Sequence, residues 1–272
     1  MKQLFLILCF FLPSISTKAN DFPFQGGEEL AFDIHYKYGL VMLKAGSANF
    51  KVLNSSYNNK NSFQSTLDFK TTAFFDKIFK MRDTLSSHIT EELEPLYHIR
   101  SIHEGSYSFS EKIFFNSFSD KYSEINVKRS SRELVKFDTI ITSNSKAYDI
   151  LSLMLAICSV DYSQLDFAHA EKFLIFIGRD KINVTARYEG QSIVEKNELH
   201  KYKTHKIALD FTDSAFNESK SAVEIWLSDD KNRIPIKIRA KLRIGAAEVN
   251  INSWKNLKYP LSSEVKIPAR KN

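Results

Sequence analysis

The sequence predicts a mainly β protein: one large, curved antiparallel sheet or partly open β-barrel, with one or two short helices on its concave face. Three observations lead there. Most of the chain alternates apolar and polar residues with period two, the signature of half-buried strands. Short polar turns join many of these runs, as in an antiparallel meander. A twisted sheet of that many strands must curl, close or split into two layers.

The chain opens on Met1-Lys2, an apolar run from Leu4 to Leu12, and Pro13-Ser14-Ile15-Ser16-Thr17-Lys18-Ala19. A basic start, a short apolar middle and small residues at the cut form a secretory signal peptide over residues 1–19, with cleavage after Ala19 or Ser16. The run is too short to span a bilayer, which takes roughly 20 apolar residues. Residues 20–272 then read as a single β-rich domain that is exported, to the periplasm or beyond it.

In Glu28–Lys37, Leu30, Phe32, Ile34 and Tyr36 point one way and Ala31, Asp33 and His35 the other. The next run, Leu40–Leu53, changes phase near Gly46, which predicts a bulge or sharp bend there. Asn54–Asn61 reads as a polar loop. Further runs follow at 62–70, 82–90, 96–104, 106–115, 121–127 and 132–138. A second series lies at 171–177, 181–188, 199–211, 222–227, 234–244 and 248–257. Asp229-Asp230-Lys231-Asn232 is the clearest hairpin turn, with Pro235 at the entry of the returning strand. Phe137–Lys146 is the one plausible seam.

Two segments break the alternation. Ala73–Phe79 has apolar spacing of three and four, which fits a short helix or an aromatic-rich loop. Tyr148–Cys158 carries Ile150, Leu151, Met154, Ile157 and Cys158 at helical spacing. Ser145 or Asn144 is positioned to cap that helix, and Asp149 favours its dipole.

Composition narrows the function classes. The 272 residues are 43% hydrophobic and 26% charged, which excludes disorder and a multi-pass helical membrane protein. The formal charge is +6, and losing Lys2 and Lys18 with the leader brings it to +4. The basic residues are scattered, with no basic arm or helix, which argues against nucleic acid. Once Cys9 is removed Cys158 stands alone, so the fold relies on its core rather than a disulfide.

No catalytic signature emerges. The seven histidines form no His-x-His or His-Glu-x-x-His pattern, so no metal site and no cofactor are expected. Gly-x-Ser-x-Gly and phosphate-binding glycine loops are absent. The carboxylate pairs Glu28-Glu29, Glu91-Glu92 and Asp229-Asp230 read as solvated turns. Asp83, Glu104 and Asp149 read as buried polar anchors, partnered by residues such as Arg82 or Arg100. The compositional excess is aromatic, 22 Phe and 11 Tyr. It fits a Phe-filled core or an apolar ligand cavity. Phe74, Phe75 and Phe79 sit off the regular strands, where a flap or mouth would lie.

Several segments together resemble an exported bacterial family, domain of unknown function 3108. They are Gly27-Glu28-Glu29-Leu30, Tyr36-Lys37-Tyr38-Gly39-Leu40 and Lys44-Ala45-Gly46-Ser47-Ala48, then Asp83, His103-Glu104-Gly105 and Ala147-Tyr148-Asp149-Ile150-Leu151-Ser152. Ile225-Trp226-Leu227-Ser228-Asp229-Asp230 with Arg233-Ile234-Pro235 completes the pattern. The chain departs from it at Cys158, where Arg is usual. The Trp226 hairpin and the curved sheet are more distantly similar to periplasmic lipoprotein carriers. That resemblance adds Trp226 to the candidate ligand-binding residues Phe74, Phe75 and Phe79. The expected role is a non-enzymatic envelope module that binds or carries an apolar or lipid-like ligand. The alternative is a structural or interaction protein whose partner is another envelope protein.

Overall fold

A computed structural model describes residues 22–118, 122–132, 134–196, 200–212 and 219–266. The signal peptide read from residues 1–19 lies outside them. The first half holds β1 (Glu28–Tyr38), β2 (Val41–Tyr57), β3 (Lys60–Thr71), the short helix α1 (Ala73–Asp76), β4 (Arg82–Thr90) and β5 (Pro95–Glu104). β6 (Tyr107–Phe118), β7 (Ser123–Ser131), β8 (Leu134–Ser143), β9 (Ala147–Tyr148) and helix α2 (Ile150–Ser159) follow. The second half is β10 (Ala170–Ile177), β11 (Asp180–Glu195), β12 (His200–Thr212), β13 (Ser219–Ser228), β14 (Pro235–Lys241), β15 (Ala246–Lys255) and β16 (Glu264–Lys266).

All the strands belong to one sheet, in the order β8-β7-β6-β5-β4-β3-β2-β1-β15-β14-β13-β12-β11-β10-β9, with β16 beside β12. Two meanders are thus joined by the long-range pair β1–β15, in register from Glu29↔Lys255 to Lys37↔Ala246. The sheet coils until its ends meet. Ile113, Phe115, Ile125 and Val127 of β6 and β7 pack against Leu174 and Phe176 of β10. Lys181 Nζ donates to the Thr142 carbonyl at 2.6 Å across the same seam. The result is the expected partly open barrel with a helix inside.

Period two decides the two faces. In β1, Glu28, Leu30 and Phe32 are buried, while Glu29 and Asp33 face out to Lys51 and Lys44 at 3.2 and 2.7 Å. The outer face elsewhere carries Lys206–Glu224 and Lys237–Glu248 pairs at 2.7 and 3.0 Å. Apolar inside and charged outside is the reverse of a bilayer-spanning barrel. No helix among the described residues is long and apolar enough to cross a membrane.

The phase change at Gly46 is a bulge, where Ile34↔Gly46 is followed by His35↔Lys44. A Cβ at Gly46 would lie 2.5 Å from the Lys70 carbonyl oxygen, so only glycine fits. Three expectations are corrected. Asn54–Asn61 is not a loop: β2 runs on to Tyr57, and Asn58 and Asn59 form a two-residue turn with φ of 49° and 61°, which Asn tolerates. Phe137–Lys146 is not a loop dividing the chain, because β8 continues to Ser143. The α2 cap is Asp149, not Ser145 or Asn144, because β9 carries the chain through Ala147–Tyr148 before the helix begins.

Helix α2 buries Leu151, Ser152, Leu153, Leu155, Ile157 and Cys158, nearly its whole circumference, as befits a helix inside a barrel. One side packs on Ile175, Val184, Ile207, Ile225 and Leu227 of β10–β13.

Candidate functional site

The other side of α2 faces a cavity of about 300 Å³, at the lower end of the roughly 300–1,000 Å³ usual for small-molecule sites. The helix contributes Ile150, Leu151, Met154, Leu155 and Cys158, spaced by three and four so that one stripe lines the space. The strands contribute Leu30, Phe32 and Ile34 from β1, Phe50 from β2, Leu67 and Phe69 from β3, Leu85 from β4, Ile238 from β14 and Val249 from β15. The inward phase of each strand supplies them, so the wall is almost wholly apolar.

Three polar side chains interrupt it: Glu28, Asn232 and Arg233. Asn232 is fully used. It donates to the carbonyls of Tyr259 and Pro260 at 3.0 and 3.3 Å and accepts from Tyr259 N at 2.9 Å. Arg233 donates its Nε proton to the Cys158 carbonyl at 2.7 Å, at the end of α2. A cation there complements the helix dipole. The positive charge that Cys158 does not supply therefore arrives from another strand connection. The Cys158 thiol itself is driven up to about 12 by burial.

Glu28 corrects the reading of Glu28-Glu29 as a solvated turn. Period two carries Glu28 onto the inward face with Leu30 and Phe32, and it is 3% exposed. Its Oε2 has no hydrogen-bond partner. Burial pushes its pKa up to about 7, against the opposing pull of the Gln25 and Lys258 backbone amides.

The predicted anchors are all inward; of the expected partners Arg100 acts on Glu104 through its charge, and the hydrogen bonds come from elsewhere. Asp149 is fully buried and accepts from Leu151 N at 2.9 Å, Ser152 N at 3.1 Å and Ser87 Oγ at 2.7 Å. His98 Nδ1 lies 3.2 Å from its Oδ1, at an angle short of a good hydrogen bond. Burial works to raise the Asp149 pKa, but His98, Ser87 and the helix amides outweigh it and hold the carboxylate below its ordinary range. Asp83 is buried and accepts from His103 N at 2.9 Å. Glu104 is half-buried, and burial together with nearby Asp83 raises its pKa. Arg82 instead pairs with Asp76 of α1 at 2.6 Å, and Arg100 with Glu111 at 2.7 Å.

Sequence reading missed Glu111. It is fully buried and accepts from Arg100 Nε and Arg129 Nε, both at 2.7 Å, and from Gly178 N at 3.0 Å. It ties β5, β6 and β7 to the β10–β11 turn and fastens the seam. Its signal was faint: an acidic residue in the phase of Ile113 and Phe115. A second missed cluster is His205, which contacts Asp229 at 2.8 Å through Nε2 and Tyr188 Oη at 2.9 Å through Nδ1. The space beside Tyr188 is about 10 Å³, room for no more than a water.

The predicted ligand-binding residues stand elsewhere. Phe74 and Phe79 are exposed on and after α1, Phe75 is half-buried beside them, and none lines the cavity. Trp226 is on the outer face, flanked by Lys206 and Lys237 at 5.3 and 5.5 Å from its ring. The reason is phase: Ile225 and Leu227 take the inward positions of β13. The α1 aromatics belong instead to one rim of the barrel. Exposed Leu40, Val41, Met42, Ile78, Tyr107, Leu134 and Ile244 lie on the same rim, in or beside the β1–β2, β3–β4, β5–β6, β7–β8 and β14–β15 connections. Among the described residues, no group of three or more His, Cys, Asp or Glu converges as a metal site.

Fold and cavity together define a barrel-like β protein that wraps one helix and keeps an apolar space beside it. The family model for a protein of unknown function, DUF3108, matches residues 31–252, and the chain belongs to that family. A crystal structure of a β-barrel-like protein of domain of unknown function DUF1849, from Brucella abortus, is similar to it in fold. The TM-score is 0.55 at 9% identity, over 84% of this chain and 96% of that one. No curated protein matches.

Proposed function

We propose that this protein is a non-enzymatic binding or carrier module of the cell envelope, exported to the periplasm, whose barrel holds an apolar or lipid-like ligand. The observation that carries the reading is the cavity beside α2, lined by inward residues of six strands and one stripe of the helix. Burying an apolar chain there gains about 25 cal/mol per Å² removed from water, with no reacting group needed. Native mass spectrometry of protein purified from the envelope tests it, alongside solvent extraction of the same sample. A bound apolar molecule supports the reading. Ligand-free protein that also fails to take up an apolar fluorescent dye counts against it.

The apolar rim favours a second reading, an interaction protein of the envelope. Several exposed large apolar side chains gathered at one rim are what a binding face would offer. Crosslinking in cells should then recover one dominant partner, and Val41→Glu with Ile78→Glu should abolish the crosslink while extraction yields no ligand.

A further inference from the structure

Resting on the cavity reading above, we propose that the ligand is a single-chain carboxylic acid, its head held between Arg233 and Glu28 and its chain lying under helix α2. Three observations converge on it. The first is the orphaned Oε2 of Glu28, a polar atom buried at the wall of an apolar space. Buried polar side chains are nearly always hydrogen-bonded, so an unpaired atom on a residue that lines a cavity points to a missing partner that a small side-chain turn would reach.

The second is Arg233 at the same end. Its Nε is occupied by the Cys158 carbonyl, which fixes the guanidinium, and it makes no ion pair with an acidic side chain among the described residues. Arg233 and Glu28 both line the cavity with Cys158, the last helix residue on it, and Arg233 also helps to lower the pKa of Asp161 just beyond the helix. Lys258, the other cation near this end, donates its Nζ proton to the Phe22 carbonyl.

The third is chemical fit. Arginine recognises a carboxylate through parallel N–H donors. Burial raises the Glu28 pKa to about 7, so a protonated carboxyl is well populated near neutral pH and can donate its O–H to the second oxygen of the same head. An alcohol would satisfy Glu28 and leave Arg233 unanswered. A cationic head would be repelled by Arg233. The cavity volume suits one hydrocarbon chain better than the two of a phospholipid.

The test is calorimetric titration of delipidated protein with laurate, dodecanol and dodecyltrimethylammonium, each also used to displace an apolar dye. Laurate is expected to bind roughly ten- to a hundredfold more tightly than dodecanol, the worth of a charge-assisted pair, with the cation weakest. Glu28→Gln, whose amide still donates, should keep laurate binding, while Glu28→Leu and Arg233→Met should lose most of the preference over dodecanol. Melting curves check that each variant is folded, and the three-ligand comparison on the unmodified protein stands without them. If dodecanol or the cation matches laurate, the head assignment falls and the cavity reading survives. If neither the dye nor any amphiphile binds, both fall.

Discussion

Asp149 offers the sharpest test of how the barrel holds its helix. Asp149→Ala removes a carboxylate that caps α2 through Leu151 N and Ser152 N and also holds Ser87 and His98. Loss of the cap costs about 0.5–2 kcal/mol. Leaving the fully buried Ser87 hydroxyl without its acceptor and removing the charge beside His98 adds about 1–3 kcal/mol. The expected total is about 1.5–5 kcal/mol, its upper part overlapping the roughly 3–5 kcal/mol seen when one member of a buried pair is removed. That is a large part of the roughly 5–15 kcal/mol that stabilises a typical domain. Asp149→Asn keeps an oxygen for the helix amides, but its Nδ2 cannot accept from Ser87 Oγ and the negative charge beside His98 is gone, so its cost should be about 1–2 kcal/mol. Urea unfolding at neutral pH, followed by circular dichroism, measures both. A loss below about 1 kcal/mol for Asp149→Ala would refute the view that this carboxylate organises the helix end. The sign with pH follows from the depressed pKa. The Asp149 contribution is present above the unfolded value of 3.8 and is lost as pH falls through the folded one.

Glu28 should behave in the opposite sense. Its pKa is raised from 4.5 to about 7, so its contribution is fully present below the unfolded value and is lost as pH rises across that window. The loss is on the order of 3 kcal/mol, and Glu28→Gln should flatten the slope when unfolding is measured across the window. Gly46→Ala drives a methyl group onto the Lys70 carbonyl and should cost about 1–3 kcal/mol by thermal melting; a neutral effect would mean that β2 and β3 separate easily at the bulge. Cys158, buried and with its thiol pKa near 12, should stay silent to a thiolate-specific reagent at neutral pH until the protein is unfolded. Rapid labelling of the native protein would show that the helix end opens.

Much of the fold was legible because strand alternation is local. The inward phase of β1 follows from Leu30, Phe32 and Ile34, and the α2 stripe from residues within ten positions of one another. The same rule extended two residues back would have found Glu28. Its neighbour Glu29 made the pair look like a turn. The site residues were harder. Phe74, Phe75 and Phe79 looked like a cavity mouth because aromatics off a strand carry no phase, and nothing in their segment says which way it turns. Trp226 was misplaced although its phase was readable from Ile225 and Leu227, because the hairpin motif outweighed the alternation.

The order of residues alone determined that this chain makes strands, where they turn, which side of each is apolar, and that a helix interrupts them. Those properties depend on neighbours a few positions apart. Only the tertiary structure decided that β1 pairs with β15, that Glu111 reaches across the seam to Gly178, and that Arg233 meets the end of α2. Such contacts join residues as much as two hundred positions apart, and pairing at that range is set by which arrangement buries the most apolar surface at once. No local pattern records that choice.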